Sequence, residues 1–276
     1  MAVPAPPTST APPTAAVPAG PWPLRAPAPR PVPYGPLPAG LGPPRDGEPQ
    51  LWVADADGRW ADAEGTAPLD REESLRAGRF GSARDRHRYV VAHVLLRRLA
   101  GALLGLAPAD VVISRERCGV CGRPGGRPVL PGSGVHFSLS HSASTVLLAF
   151  ARAPVGVDVE ATPAPGIADE LAASLHPRER AELAALTAAG RDEAFLRCWT
   201  RKEAHLKGAG AGLAHGLAGH YVGTGPAPAS PQGWRLWDIP VGTGQRAAVA
   251  LAMAGGGPDD GPGIGSRPDV AFGSCN

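Results

Sequence analysis

Residues 156–160 read Gly156-Val157-Asp158-Val159-Glu160. The alternation of β-branched and acidic residues predicts a strand, in which side chains two apart share a face. Val157 and Val159 then face a core, while Asp158 and Glu160 point together to the other side. Two carboxylates on one face repel each other unless solvent or a cation compensates. Hard oxygen donors at this spacing suit Mg2+, which takes one or two carboxylates together with water and phosphate oxygens. A half-buried strand with a solvated acidic face is the other reading of the same five residues.

Upstream, Val135–Leu139 and Thr145–Phe150 are further short strand-like runs, separated from each other and from Val155–Val159 by turn-like residues. The stretch Phe137-Ser138-Leu139-Ser140-His141-Ser142 lies among them. Its hydroxyls and imidazole suit phosphate binding, or make a polar turn. Ser140 is outside any G-x-S-x-G context, so nothing marks it as a nucleophile. Downstream, Pro177 suits the first position of a helix reaching about Ala189, and Gly190 is expected to break it. A second helix is predicted over Asp192–Lys207, closed by Gly208 and Gly210. Phe195, Trp199 and Leu206 mark its buried stripe. Glu203 and Lys207 are neighbours at i, i+4. They form either an ordinary surface ion pair or a third metal carboxylate with a phosphate-binding lysine one turn away. Trp234–Asp238 and Ala247–Leu251 read as two more strands.

Towards the N-terminus, Leu51–Ala54 reads as a strand. Asp70 with Glu73 has capping-box spacing and opens a helix towards Arg79. Arg84–Leu104 is a longer amphipathic helix, and Val111–Ile113 reads as a strand. Residues 118–134 form a loop rich in Cys, Gly and Pro. Cys118-x-x-Cys121 within it reads as free thiols or occasional metal binding, because no second ligand pair accompanies it. Arg76, Arg79, Arg84, Arg86, Arg88 and Arg127 supply a basic set able to meet phosphates, or a solvated basic face. The element order is that of an α+β fold with a faint halved organisation.

Composition bounds the rest. The chain has 276 residues, 43% hydrophobic and 19% charged. Residues 1–49 hold 17 of the 33 prolines, so this stretch is expected to be a disordered or polyproline-like tail. That leaves a foldable chain of about 200 residues, enough for a core. No apolar run approaches the ~18 residues of a membrane span, and no basic-then-apolar leader opens the chain. A formal charge of +2 is too balanced for general nucleic-acid binding. Four cysteines do not make a disulfide scaffold, which suits a reducing cytoplasm. Of the 27 basic residues only Lys202 and Lys207 are lysines, both within one six-residue window. A lysine is a compact point charge, and a tight site can require it where arginine serves elsewhere.

Taken together and in order, Gly126-Arg127-Pro128, Phe137–Ser142, Gly156–Glu160, Trp199-Thr200-Arg201-Lys202-Glu203 with Lys207, and Gly210-x-Gly212-Leu213 resemble the Sfp-type 4'-phosphopantetheinyl transferases over about residues 50–252. The resemblance implies two similar α+β halves, 50–153 and 154–252, forming a pseudo-dimer with the site between them. The 1–49 tail and a flexible 253–276 flank them. It implies Mg2+-dependent transfer of phosphopantetheine from coenzyme A to a serine of an apo carrier protein, releasing 3',5'-ADP. Asp158, Glu160 and Glu203 would hold Mg2+. Glu203 would be the base, and Lys207 would face the transferring phosphate. Arg127, Ser140 and His141 would grip coenzyme A, with Arg76 and Arg79 as looser additions. The implied partners are acyl or peptidyl carriers of polyketide or nonribosomal peptide synthases, met by a cytoplasmic monomer of secondary metabolism. Ser138 stands where the family usually has Asn, and Arg127 where many members have Lys. A silent coenzyme A or carrier binder, and a scaffold acting through the Pro-rich tail, are competing readings. Lys202 is expected to point away from the site and to matter less than Lys207.

Overall fold

In chain order the elements are β1 (Arg30–Pro31), β2 (Gln50–Asp55), α1 (Arg71–Ala77), α2 (Ala83–Leu104), β3 (Ser114–Arg117), β4 (Pro124–Val129), β5 (His136–Ser142), β6 (Thr145–Ala151), β7 (Val155–Ala161), α3 (Ile167–Ala172), α4 (Pro177–Ala184), α5 (Ala188–Ala209), β8 (Trp234–Ile239) and β9 (Gln245–Ala252). This computed structural model describes residues 27–57, 60, 68–117, 122, 124–164, 166–211 and 216–253. The fold is mixed α+β. One sheet has the order β1-β2-β6-β5, a second has the order β7-β9-β8, and β3 pairs with β4 in a separate hairpin.

Strand parity sets the layers. In β6, Val146, Leu148 and Phe150 pack with Trp52 and with Leu95 and Leu99 of α2. Leu147 and Ala149 face the other way, onto Val157 and Val159 of β7 and Val249 and Leu251 of β9. The two sheets therefore share an apolar layer. The far face of the second sheet, with Leu236, Ala248 and Ala250, packs on Phe195, Cys198 and Ala204 of α5. Truncating one such buried leucine to alanine costs about 2–5 kcal/mol.

Approach between β7 and α5 is closest at two glycines. A Cβ at Gly156 would stand 1.9 Å from the Ala204 carbonyl oxygen and 2.4 Å from the Gly208 amide nitrogen. A Cβ at Gly208 would meet the Trp234 ring at 2.7 Å. Helix and strand touch backbone to backbone there.

The helix ends follow their capping residues. Asp70 and Glu73 form the expected capping box on α1. The buried Arg97 of α2 bonds both carboxylates at 2.7 Å and ties α1 down. Gly210, at φ +70°, ends α5.

Several elements differ from the sequence reading. Val111–Ile113 is not a strand, because the Val111 carbonyl accepts from Arg97 instead of a ladder partner; the strand begins at Ser114. The Gly/Pro-rich stretch after it contains β4, where Gly126 lets the backbone pass the Arg117 carbonyl at a distance no Cβ allows. Gly190 does not break a helix. α4 ends at Ala184, and α5 starts at Ala188 with Thr187 as its cap, so Gly190 lies in the first turn. The short helix α3 carries no strong periodic signal in the sequence. Within the compositional tail, β1 runs parallel to β2 and Val32 is buried. Arg98 and Arg152 donate to the Gly35 and Pro44 carbonyls. Cys118, Cys121, Gly212 and Leu213 lie outside the described residues. Among the described residues no helix is long and apolar enough to cross a membrane.

Gly156→Ala should lower the unfolding free energy in urea by about 3 kcal/mol or more, since backbone must yield to the new methyl. Gly190→Ala, whose nearest neighbour atom lies at 3.7 Å, should raise it by up to about 1 kcal/mol through helix propensity. Equal effects would refute the close-approach argument.

Candidate active site

Asp158, one residue beyond the pair of core valines' first member, sits on the face of β7 turned to α5 and is buried. Its Oδ1 accepts from Lys207 Nζ at 2.6 Å and from Ser140 Oγ at 2.8 Å. Lys207 Nζ also donates to Ser140 Oγ at 3.0 Å. Asp158 Oδ2 is buried and has no hydrogen-bond partner. Glu160, on the same face, accepts from Ser142 Oγ at 2.9 Å. Glu203 lies one helical turn before Lys207 and is also buried.

The charges are out of balance. Burial raises the Glu203 carboxyl to about 7; Asp158 and Glu160 add to that rise, and Lys207 opposes it. Glu160 is also raised, by burial first and Asp158 second, against the Ser142 hydrogen bond and Lys207. Three carboxylates thus feel one another with one lysine among them. Among the described residues no three His, Cys, Asp or Glu side chains stand as a ready metal cage. The donor set nonetheless suits a hard divalent cation: mutually repelling carboxylates and one buried oxygen left without a donor. A carboxyl near pH 7 also suits a general base.

The other residues singled out in the sequence lie around this centre. His141 follows Ser140 at the end of β5. Its imidazole is held below the usual range by desolvation, then by Lys207 and Arg88, with Arg76 a smaller contributor. Arg127 of β4 reaches the end of α5, donating to the Gly208 carbonyl at 2.9 Å and pairing with Glu116 at 2.7 Å. Arg76 lies in the last turn of α1 with its guanidinium 5.9 Å from the Tyr89 ring centroid. Arg79 follows just beyond α1 and is exposed. The Ser140 hydroxyl has its one proton on Asp158 and is not turned outwards.

Lys202 points away from the centre. It is buried in an ion pair with Glu179 of α4 at 2.8 Å and donates to the His220 carbonyl. Glu179 in turn accepts from the Val222 amide. This junction was invisible in sequence, because Glu179 and Lys202 lie on different helices. The Ser142–Glu160 bond has a single signal in the sequence, the matching two-residue period of Ser138, Ser140 and Ser142 with that of the acids.

Comparison with known proteins places the chain in a family. Residues 154–229 match the model of the 4'-phosphopantetheinyl transferase superfamily. The 4'-phosphopantetheinyl transferase HetI of Nostoc sp. is 32% identical over 199 residues, which cover 68% of this chain and 81% of that protein. The 4'-phosphopantetheinyl transferase Sfp of Bacillus subtilis is 30% identical over 149 residues, 52% of this chain and 62% of that protein. A phosphopantetheinyl transferase of Thraustochytrium sp. is 30% identical over 188 residues, 61% of this chain and 63% of that protein. The chain thus spans less than two thirds of the last two relatives.

The imbalance has a measurable sign. Glu203 binds its proton more tightly folded than unfolded, so its ionisation costs stability as pH rises from about 4.5 through about 7. Glu203→Gln carries no such cost. In metal-free buffer the variant should match wild type near pH 4, below the unfolded value. At pH 8 it should be more stable by up to about 3 kcal/mol, at ~1.4 kcal/mol per pKa unit. A variant no more stable at pH 8 than at pH 4, relative to wild type, would refute the electrostatic account.

Proposed function

The chain belongs to the 4'-phosphopantetheinyl transferase superfamily, and from that we propose that it moves the 4'-phosphopantetheine arm of coenzyme A onto a serine of an apo carrier protein, releasing 3',5'-ADP. The observation that carries the reading is the meeting of Asp158, Glu203 and Lys207 in one buried cluster, with Ser140 and Arg127 brought in from the preceding strands. The reading includes the two-halved architecture. Residues 50–153 form one half, 154–252 the other, and the site lies between them. Residues 1–49 precede the pair, with β1 of that segment joined to the first half's sheet, and 253–276 follow it.

The serine oxygen bonds to the transferred phosphorus as the P–O bond to 3',5'-ADP breaks, and negative charge grows on the departing phosphate oxygen. Asp158, Glu160 and Glu203 are the residues that would hold Mg2+, which supplies Lewis-acid neutralisation of that charge when bound. Lys207, which in the structure pairs with Asp158, adds a point charge beside the transferring phosphate. Glu203, with its carboxyl raised to about 7, takes the proton from the carrier serine, directly or through a water. His141, Arg127, Arg76 and Arg79 hold the other phosphates of coenzyme A. Ser140 serves them by fixing Asp158 and Lys207. Partners of this reaction are acyl or peptidyl carrier domains of polyketide or nonribosomal peptide synthases. The protein would work as a cytoplasmic monomer in secondary metabolism.

The test is the intact mass of apo acyl and peptidyl carriers after incubation with the protein, coenzyme A and Mg2+. Wild type should add one phosphopantetheine to a carrier. Glu203→Gln, and wild type with chelator, should add none on the same timescale. Lys207→Ala should lose at least about 100-fold in kcat/KM, as removal of a transition-state donor does. Coenzyme A binding without any mass gain on several carriers would refute the transferase reading in favour of a silent binder.

A further inference from the structure

β5 and β7 are edge strands of different sheets, yet they run side by side. Their seam is built from hydroxyls. The amides of Val157, Val159 and Ala161 donate to the Oγ atoms of Ser138, Ser140 and Ser142 at 3.0, 3.4 and 3.1 Å. Each rung spans the same separation of 19 residues, so the strands advance in parallel and the serines take the place of a backbone ladder. An edge strand with buried amides needs acceptors, and alternate serines on one neighbouring face provide them.

A hydroxyl has one proton and two lone pairs. With a lone pair given to the β7 amide, the proton is free to select an acceptor. Ser140 directs it to Asp158 Oδ1 at 2.8 Å, and Ser142 directs it to Glu160 Oε2 at 2.9 Å. The rung at Ser138 has no such target. Its equivalent position on β7 is Gly156, which has no side chain and must have none, because α5 lies against it. Two rungs therefore join the sheets and aim a carboxylate, and one rung only joins.

Resting on the ion site of the functional reading above, we propose that Ser142 is a positioning residue: its hydroxyl, pinned by the Ala161 amide, sets the orientation in which Glu160 meets a divalent cation. Ser138 closes the seam without acting on the site. The side chain at 142 is half-buried, so the contact is shielded without being sealed from solvent. Removing such a carboxylate-orienting partner typically weakens metal binding about 10–100-fold.

The test is titration of Mn2+ into the full-length chain, with free ion read by electron paramagnetic resonance and the thermal midpoint measured in parallel. Ser142→Ala should weaken Mn2+ binding about tenfold. Ser142→Thr keeps a hydroxyl and should stay within about twofold of wild type, while Ser142→Val, of matching volume, should behave as alanine does. This pair decides the matter if alanine unfolds the seam. Ser138→Ala should lower the thermal midpoint and leave Mn2+ affinity within about twofold. Mn2+ binding unchanged in both Ser142→Ala and Ser142→Val would overturn the proposal. So would equal weakening by Ser138→Ala, which would mean that the seam acts through the fold alone. Wild type failing to bind Mn2+ would overturn the ion site itself, and that result is visible before any variant is compared.

Discussion

The backbone of β7 lies directly on the backbone of α5, with no side chain between them at Gly156 and Gly208. This contact sets everything around the site. It brings the strand so close that Asp158, two residues on, lies against Lys207 and within the field of Glu203. A larger residue at 156 would lift the strand and separate the carboxylates that the helix and strand contribute. Trp234 of β8 seals the other side of Gly208, so the approach is held from both directions. The apolar contacts of α5 with β8 and β9 hold helix and sheet together, and the glycines decide how near they come.

What that approach assembles is unfavourable in isolation. Three carboxylates share a half-buried space with one lysine, and Asp158 Oδ2 is left without a donor. The surrounding apolar layers and the buried Lys202–Glu179 pair anchor the helix that carries Glu203 and Lys207. Strain of this kind is common where a site awaits an oppositely charged ligand. The serine seam between β5 and β7 belongs to the same design. It satisfies the amides of the strand that carries the acids and hands its protons to those acids, so one set of hydroxyls serves both the fold and the site.

Much of this was legible in order along the chain. The alternation in Gly156–Glu160 correctly placed two acids on one face, and the i, i+4 spacing correctly made Glu203 and Lys207 neighbours. Asp70 and Glu73 announced their capping box. The errors have physical causes. Gly190 reads as a breaker, yet a glycine in the first turn of a helix costs little, and the true break lies upstream, between Ala184 at the end of α4 and Ala188 at the start of α5. The β3–β4 hairpin hides in Gly/Pro-rich sequence, because Gly126 is needed there for close passage rather than for a loop. Val111 looks like a strand residue, but its carbonyl is captured by Arg97, a helix residue fourteen positions earlier in the sequence.

The sequence by itself determined which face of its own element each candidate residue occupies, because local periodicity is a property of neighbouring residues. It also determined that Lys202 and Lys207, five residues apart on one helix, lie on different faces. Only the tertiary structure decided what those faces meet. It set Lys207 on Asp158, gave Lys202 to Glu179, brought Arg127 to the end of α5, and turned the Ser140 and Ser142 hydroxyls onto the acids of another sheet. These are contacts between elements distant in the chain. Their geometry depends on how closely two backbones pack, and a one-dimensional pattern does not encode that distance.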